Sequence, residues 1–172
     1  MKRNIIKTSL NTIVFALSLV MLCLTANAQT KMQNFAGTWI LNEDKSDFGR
    51  LTAKSASKVK VLTVVQTTSD ITVFSGDSTM KTSIQINLSG EHAVQTSSTT
   101  VNGIPNKLTS NPDIQLVNDR SFTLRITKDP MSLVTSSVKT YTLSSDGKIL
   151  IMEYKNTYGE TILAGKLVYD KR

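Results

Sequence analysis

"FAGTWILNEDKSDFG", residues 35 to 49, is the stretch whose reading decides the fold. It places Gly37 two residues before Trp39, the only tryptophan of the 172-residue chain, and then turns polar from Asn42 to Asp47. A glycine lets backbone or ring approach closely, and an indole is a large apolar wedge with one polar handle. Together they predict a first strand whose tryptophan plugs one end of a barrel, with Asn42 to Ser46 breaking the strand. Asp44 or Asp47 is expected to cap a short helical turn across that end.

Beyond Gly49 the chain is dense in Val, Ile, Thr, Phe and Tyr, punctuated by Gly, Asn, Asp, Ser and Pro. That is the rhythm of successive strands, and no segment sustains helical spacing. "KVKVLTVVQTTSDITVFSGD" reads as a hairpin turning at "TTSD" between Val65 and Ile71. In "TMKTSIQINLSGEHAVQTSSTTVNG", Met80, Thr82, Ile84, Ile86 and Leu88 alternate on one face and Gly90 sits in the turn. "DIQLVNDRSFTLRITKDP" pairs Ile114 and Leu116 with Phe122, Leu124 and Ile126 around "NDRS", and Pro130 closes it. "SDGK" and "TYGE" mark two further hairpins, with Gly147 and Gly159 at the turns.

Nine or ten antiparallel strands without covering helices must bury one face on each other, by stacking two sheets or by closing into a barrel that removes exposed edges. The opening stretch favours the barrel. It resembles the lipocalin-like superfamily, whose first strand carries a GxW motif, here Gly37, Thr38 and Trp39. It is still more similar to small secreted bacterial lipocalin-like proteins, which open on a "GTW.LN..KS.FG" pattern and finish with "YTLS.DGK" and "LVYDK". Residues 35 to 49 and roughly 140 to 171 carry that match. The resemblance implies an all-β, antiparallel up-and-down β-barrel of about eight to ten strands with a cup at one end, Gly37 and Trp39 forming the other. Arg125 and Arg172 are candidates for a basic partner of the tryptophan, and the "TDY" motif of classical lipocalins has no counterpart.

The chain begins with Lys2, Arg3 and Lys7, then runs apolar through "IVFALSLVMLCLTA" to the small residues "ANA". This is the pattern of a secretory signal peptide over residues 1–28, cleaved between Ala28 and Gln29. The run is shorter than a spanning helix of about 20 residues, and Leu22 stands where acylation of Cys23 would need a small residue. Residues 29–172 then form one lipocalin-like domain exported to the periplasm or secreted, without a transmembrane segment. The single cysteine leaves with the signal, so the domain is held by packing alone. Three of the 20 basic residues also leave, so 17 face 13 acidic residues for a net charge of +4. No basic stripe forms, and nucleic-acid binding is not expected.

His92 is the only histidine, and there is no GxSxG turn, phosphate loop or dinucleotide motif. One histidine cannot start the usual zinc clusters, and "NEDKSD" lacks the glycine and spacing of a calcium loop. No enzyme activity, metal or cofactor is therefore expected. What remains is binding. Closure sends every second side chain inside, so Thr82, Ile84, Ile86, Phe122, Leu124 and Ile126 would line an apolar wall, with Thr82, His92, Thr96 and Ser98 supplying polar atoms. Such a cavity suits a small hydrophobic or amphipathic ligand. The alternative is a filled barrel, in which those apolar residues are core and the protein acts through its outer surface as an envelope interaction module. No protein partner is named by the sequence. "VKVLTVVQ" is apolar on both faces, so its register decides which side chains point in.

Overall fold

A computed structural model describes residues 31–50, 60–76, 80–101, 104–127 and 134–172. The expected signal peptide and its cleavage site, Cys23 and Pro130 lie outside the described residues. The regular structure is eleven strands, with no helix among the described residues: β1 (Gly37–Asp47), β2 (Val61–Gln66), β3 (Asp70–Gly76), β4 (Met80–Asn87), β5 (Ala93–Val101), β6 (Ile104–Ser110), β7 (Asp113–Asn118), β8 (Ser121–Thr127), β9 (Ser136–Leu143), β10 (Ile149–Tyr158) and β11 (Thr161–Lys171). The expected turns at residues 67–69, around Gly90, and at 119–120, 144–148 and 159–160 all fall between these strands.

The strands form one sheet in the order β6-β5-β4-β3-β2-β1-β11-β10-β9-β8-β7, every neighbouring pair antiparallel. First strand meets last: Leu41 lies opposite Tyr169 and Trp39 opposite Lys171. The sheet curls into a half-barrel, and it stays open between β6 and β7.

This corrects the expected closed barrel of eight to ten strands, and the reason is a matter of parity. Ten antiparallel steps separate β6 from β7 around the sheet, so the two edges run in the same direction. Joining them would require a parallel pair, which needs a crossover of a dozen or more residues. Only Asn111 and Pro112 lie between them. β6 is also the strand that the sequence pattern hides, because Pro105, Asn106 and Lys107 look like a loop. An edge tolerates both proline and lysine.

The predicted break after Leu41 and its helical turn are likewise replaced. β1 continues to Asp47 through an irregularity between Asn42 and Asp47 in its pairing with β11. The polar side chains there take over backbone bonds. Lys45 N donates to Asn42 Oδ1 (3.1 Å) and Ser46 Oγ donates to Asn42 O (2.6 Å). Val168 N in turn donates to Ser46 Oγ across the gap (2.9 Å). Asp47 caps nothing helical, and its Oδ1 accepts from Gly49 N at 2.8 Å.

Alternation along each strand puts one set of side chains into a single core. Leu62 and Val64 of β2, Ile71 and Val73 of β3, Ile84 and Ile86 of β4, Phe122 and Leu124 of β8, Tyr141 and Leu143 of β9, and Leu150 and Met152 of β10 all point into it. Trp39 and Phe35 belong to the same core, both buried, and Trp39 Nε1 donates to Phe35 O at 2.9 Å. Phe122 stacks on Tyr141 with ring centroids 5.0 Å apart and meets Phe35 in a tilted arrangement at 5.4 Å. Burying a side chain of this size stabilises by about 1.5–3 kcal/mol, so the inner face is the main source of stability in a domain without a disulfide.

Candidate functional site on the outer face

The complementary set of side chains on β1 to β5 is unusual. Ile40, Val61, Val65, Phe74 and Val94 are large, apolar and exposed, and each alternates with a buried neighbour, so all five stand on the outer face. Register joins them into rows. Ile40 faces Val61. The next row runs Thr63, Phe74, Ser83, Thr96 across β2 to β5. Val65, Thr72, Gln85 and Val94 form the row below.

An open depression of about 430 Å³ crosses these rows, with Val61 and Phe74 as its apolar floor. Hydroxyls surround that floor from Thr63, Ser83, Thr96 and Ser98, and Lys81 brings the one cationic group. Lys81 sits opposite Ser98, whose Oγ donates to Lys81 O at 3.4 Å. No carboxylate among the described residues pairs with the Lys81 ammonium. Gly76 ends β3 at the rim with φ 133°, and a Cβ there would meet the Met80 carbonyl. Glycine is what lets the two strands approach so closely at this corner.

A second depression, about 620 Å³ and more open to solvent, lies where β1 meets β11 and is lined by Asn42, Glu43, Asp44, Asp170 and Lys171 among others. Its charges are largely committed to each other. Asn42 Nδ2 donates to Asp170 Oδ2 at 2.6 Å, Lys45 Nζ reaches Asp170 Oδ1 at 3.2 Å, and Lys60 pairs with Glu43 at 3.3 Å. The amide of Asn42, then the Lys45 ammonium, holds the Asp170 carboxyl below the ordinary carboxylate range. A ligand there would compete with bonds already made. Among the described residues no carboxylate makes such a bond to the cation of the depression on β2 to β5.

The residues singled out in the sequence separate into three places. Ile84, Ile86, Phe122, Leu124 and Ile126 are buried, and all but Ile126 belong to the contiguous core. Thr82 is half-buried, its Oγ1 3.3 Å from Ser97 Oγ, and it reaches the outer depression. His92 is exposed in the turn after β4, where its backbone oxygen accepts from Asn87 N. Thr96 and Ser98 stand on the face opposite to Thr82's alternation, beside Ser83 and Lys81, which corrects their expected place on the inner wall. Phe74 and Lys81 carry the depression and were not singled out. The signal for Phe74 was the two-sided apolar pattern of β2 and β3; Lys81, on β4, is placed beside it only by the register.

Trp39 does have a basic partner, and it is neither Arg125 nor Arg172. Lys171 Nζ lies 5.1 Å from the ring centroid, in cation–π range. Among the described residues no group of three or more His, Cys, Asp or Glu converges as a metal would require, and no helix is long and apolar enough to cross a membrane. No protein-family model matches the chain, and a search of curated proteins returns no match.

Proposed function

We propose that the chain is a non-enzymatic, exported binding module that works through the outer face of β1 to β5. The observation that carries this reading is the division of apolar residues between two faces. The inner set packs into one core around Phe122 and Trp39, while Val61 and Phe74 are left in an open depression beside Lys81. Exposed apolar side chains gathered in one patch mark interaction sites more often than chance placement does. The volume lies in the range of small-molecule sites.

The preferred ligand is amphipathic and anionic, with a ring or short alkyl surface against Phe74 and Val61, and an acid directed at Lys81. Hydroxyls of Thr63, Ser83, Thr96 and Ser98 orient its remaining polar atoms. The test is fluorescence titration with 1-anilinonaphthalene-8-sulfonate, which has an aromatic body and one acid. Saturable one-to-one binding is expected. Phe74→Ser weakens it roughly tenfold, since about 1–2 kcal/mol of apolar contact is removed. Lys81→Gln weakens it by a smaller factor. Binding unchanged by both substitutions contradicts the reading.

A further inference from the structure

Lys81 has a second lysine in its own row of the outer face. Register sets Lys81 of β4 opposite Ser98 of β5, and Ser98 opposite Lys107 of the edge strand β6. Directly opposed residues of antiparallel strands share one side of the sheet, so the row reads lysine, serine, lysine, and all three are exposed. Neighbouring strands lie about 4.8 Å apart, which puts the two lysine Cα atoms about 10 Å from each other. Their flexible four-carbon stems let both ammoniums turn toward the serine between them. No carboxylate among the described residues pairs with either, whereas Lys45 and Lys60 are taken up by Asp170 and Glu43. The next row adds hydroxyls from Thr96 and Thr109, again opposite each other. From this arrangement we infer that Lys81 and Lys107 form a two-cation clamp over Ser98 for a phosphate monoester, the acid of the ligand whose apolar body lies on Phe74 and Val61. The inference rests on the outer-face function proposed above and extends it by naming the acid.

Charge decides the class. A carboxylate or sulfonate carries one negative charge, and Lys81 alone answers it. A phosphate monoester carries about −1.5 to −2 near neutral pH and offers three strong acceptor oxygens, so it draws on the second ammonium and on the hydroxyls as well. Lysine serves phosphate as a point charge on a movable stem. A cation on an edge strand also discourages stray strand pairing, and that role accounts for a lysine somewhere on β6. It does not account for the position. Thr109, on the same face, lies beside Thr96, while Lys107 falls in the row of Lys81. On the other side of Lys81 the row continues to Gly76 of β3. With no side chain there, the path from the clamp to Val61 and Phe74 is unobstructed, and all of these except Lys107 line the same depression. Lys107 stands just past its Ser98 rim.

The test compares two probes with one body, 1-naphthyl phosphate and 1-naphthalenesulfonate, titrated calorimetrically into the full chain at low salt and about pH 8, where the phosphate is a dianion. The phosphate should bind about three- to fivefold tighter, the scale of one added exposed ion pair. Lys107→Gln should remove that preference and leave the sulfonate affinity unchanged, and Lys107→Arg should keep the preference. Lys155→Gln deletes the same charge from an exposed position on β10 and should change nothing. Equal affinity for the two probes, a preference that survives Lys107→Gln, or an equal fall with Lys155→Gln would overturn the clamp. Phe74→Ser separates this failure from that of the proposed function. Sulfonate binding that Phe74→Ser weakens, without a preference for phosphate, removes the clamp alone. Sulfonate binding indifferent to both Phe74→Ser and Lys81→Gln removes the proposed function. Cosedimentation with phosphatidylcholine vesicles containing phosphatidic acid, whose headgroup is a phosphate monoester, tells a lipid from a soluble ester. Pelleting abolished by Lys107→Gln assigns the lipid, and Lys107-dependent binding of naphthyl phosphate without pelleting assigns the soluble ester. Pelleting that Lys107→Gln leaves intact contradicts the clamp.

Discussion

Lys171 Nζ stands 5.1 Å from the centre of the Trp39 ring, on paired positions of the first and last strands. The contact adds to the antiparallel ladder that already joins the first and last strands. Lys171→Ala is expected to lower stability by about 0.5–1 kcal/mol, the range for a cation–π pair at an exposed site, whereas Trp39→Ala removes a fully buried core side chain and costs about 3–5 kcal/mol. Urea unfolding midpoints of the two variants separate these cases.

Tyr169 is fully buried two positions along the same face of the β1–β11 pairing, and its hydroxyl has no hydrogen-bond partner among the described residues. Burial, with Tyr141 nearby, pushes that phenol far above its ordinary value, so it stays neutral. A buried hydroxyl without a partner is a cost of about 1–3 kcal/mol. Tyr169→Phe should therefore be neutral or raise the thermal midpoint. A clear drop would mean that the hydroxyl is satisfied.

Glycines 147 and 165 are sensitive for different reasons. Gly147 turns the β9–β10 hairpin at φ 69° with open space around it, so Gly147→Ala costs about 1–2 kcal/mol through backbone strain. A Cβ on Gly165 would stand 2.6 Å from both Asp47 O and the Tyr154 hydroxyl. That hydroxyl donates to Phe48 O at 3.0 Å and fixes the end of β1. Gly165→Ala should cost more than Gly147→Ala in parallel denaturation curves, and the reverse order would contradict this packing.

Asp170 makes the domain acid-sensitive in a defined direction. Its carboxyl is held below the ordinary value of 3.8 by Asn42 and then by Lys45. A folded-state pKa below the unfolded one contributes stability that is present above the unfolded pKa and is lost as pH falls through the folded pKa. The chain should lose this contribution on acidification from about pH 4 downward. Asp170→Asn should lose less stability than the parent between pH 5 and pH 2.5. Equal losses would show that the Asn42 and Lys45 bonds do not bias the protonation.

Much of the architecture was legible because the turns are written in strong residue types. "SDGK" falls between strands and "TTSD" and "TYGE" straddle a turn and the strand beside it, and the alternation of Ile84 and Ile86 predicts their burial. Closure was not legible, because it depends on a count. Pro105, Asn106 and Lys107 hide β6, and one concealed strand changes an even number into an odd one. The bulge at Asn42 to Asp47 was hidden for a related reason, since local polarity looks the same whether side chains end a strand or replace its ladder bonds. The outer depression was half visible: the two-sided "VKVLTVVQ" left the register open, and only the pairing of Thr63 with Phe74 and Ser83 brings those residues together. Lys171 carries no signal of its own in the sequence, and only its register opposite Trp39 sets it against the ring.

The most direct measurement for the outer-face account is a ¹H–¹⁵N NMR titration of the full chain with 1-anilinonaphthalene-8-sulfonate, locating where the probe lands. The account predicts shifts concentrated at Val61, Thr63, Phe74, Lys81, Ser83 and Thr96, with Ile86, Phe122 and Leu124 unmoved. Shifts centred on those three inner residues, with Phe74 and Lys81 silent, would contradict it.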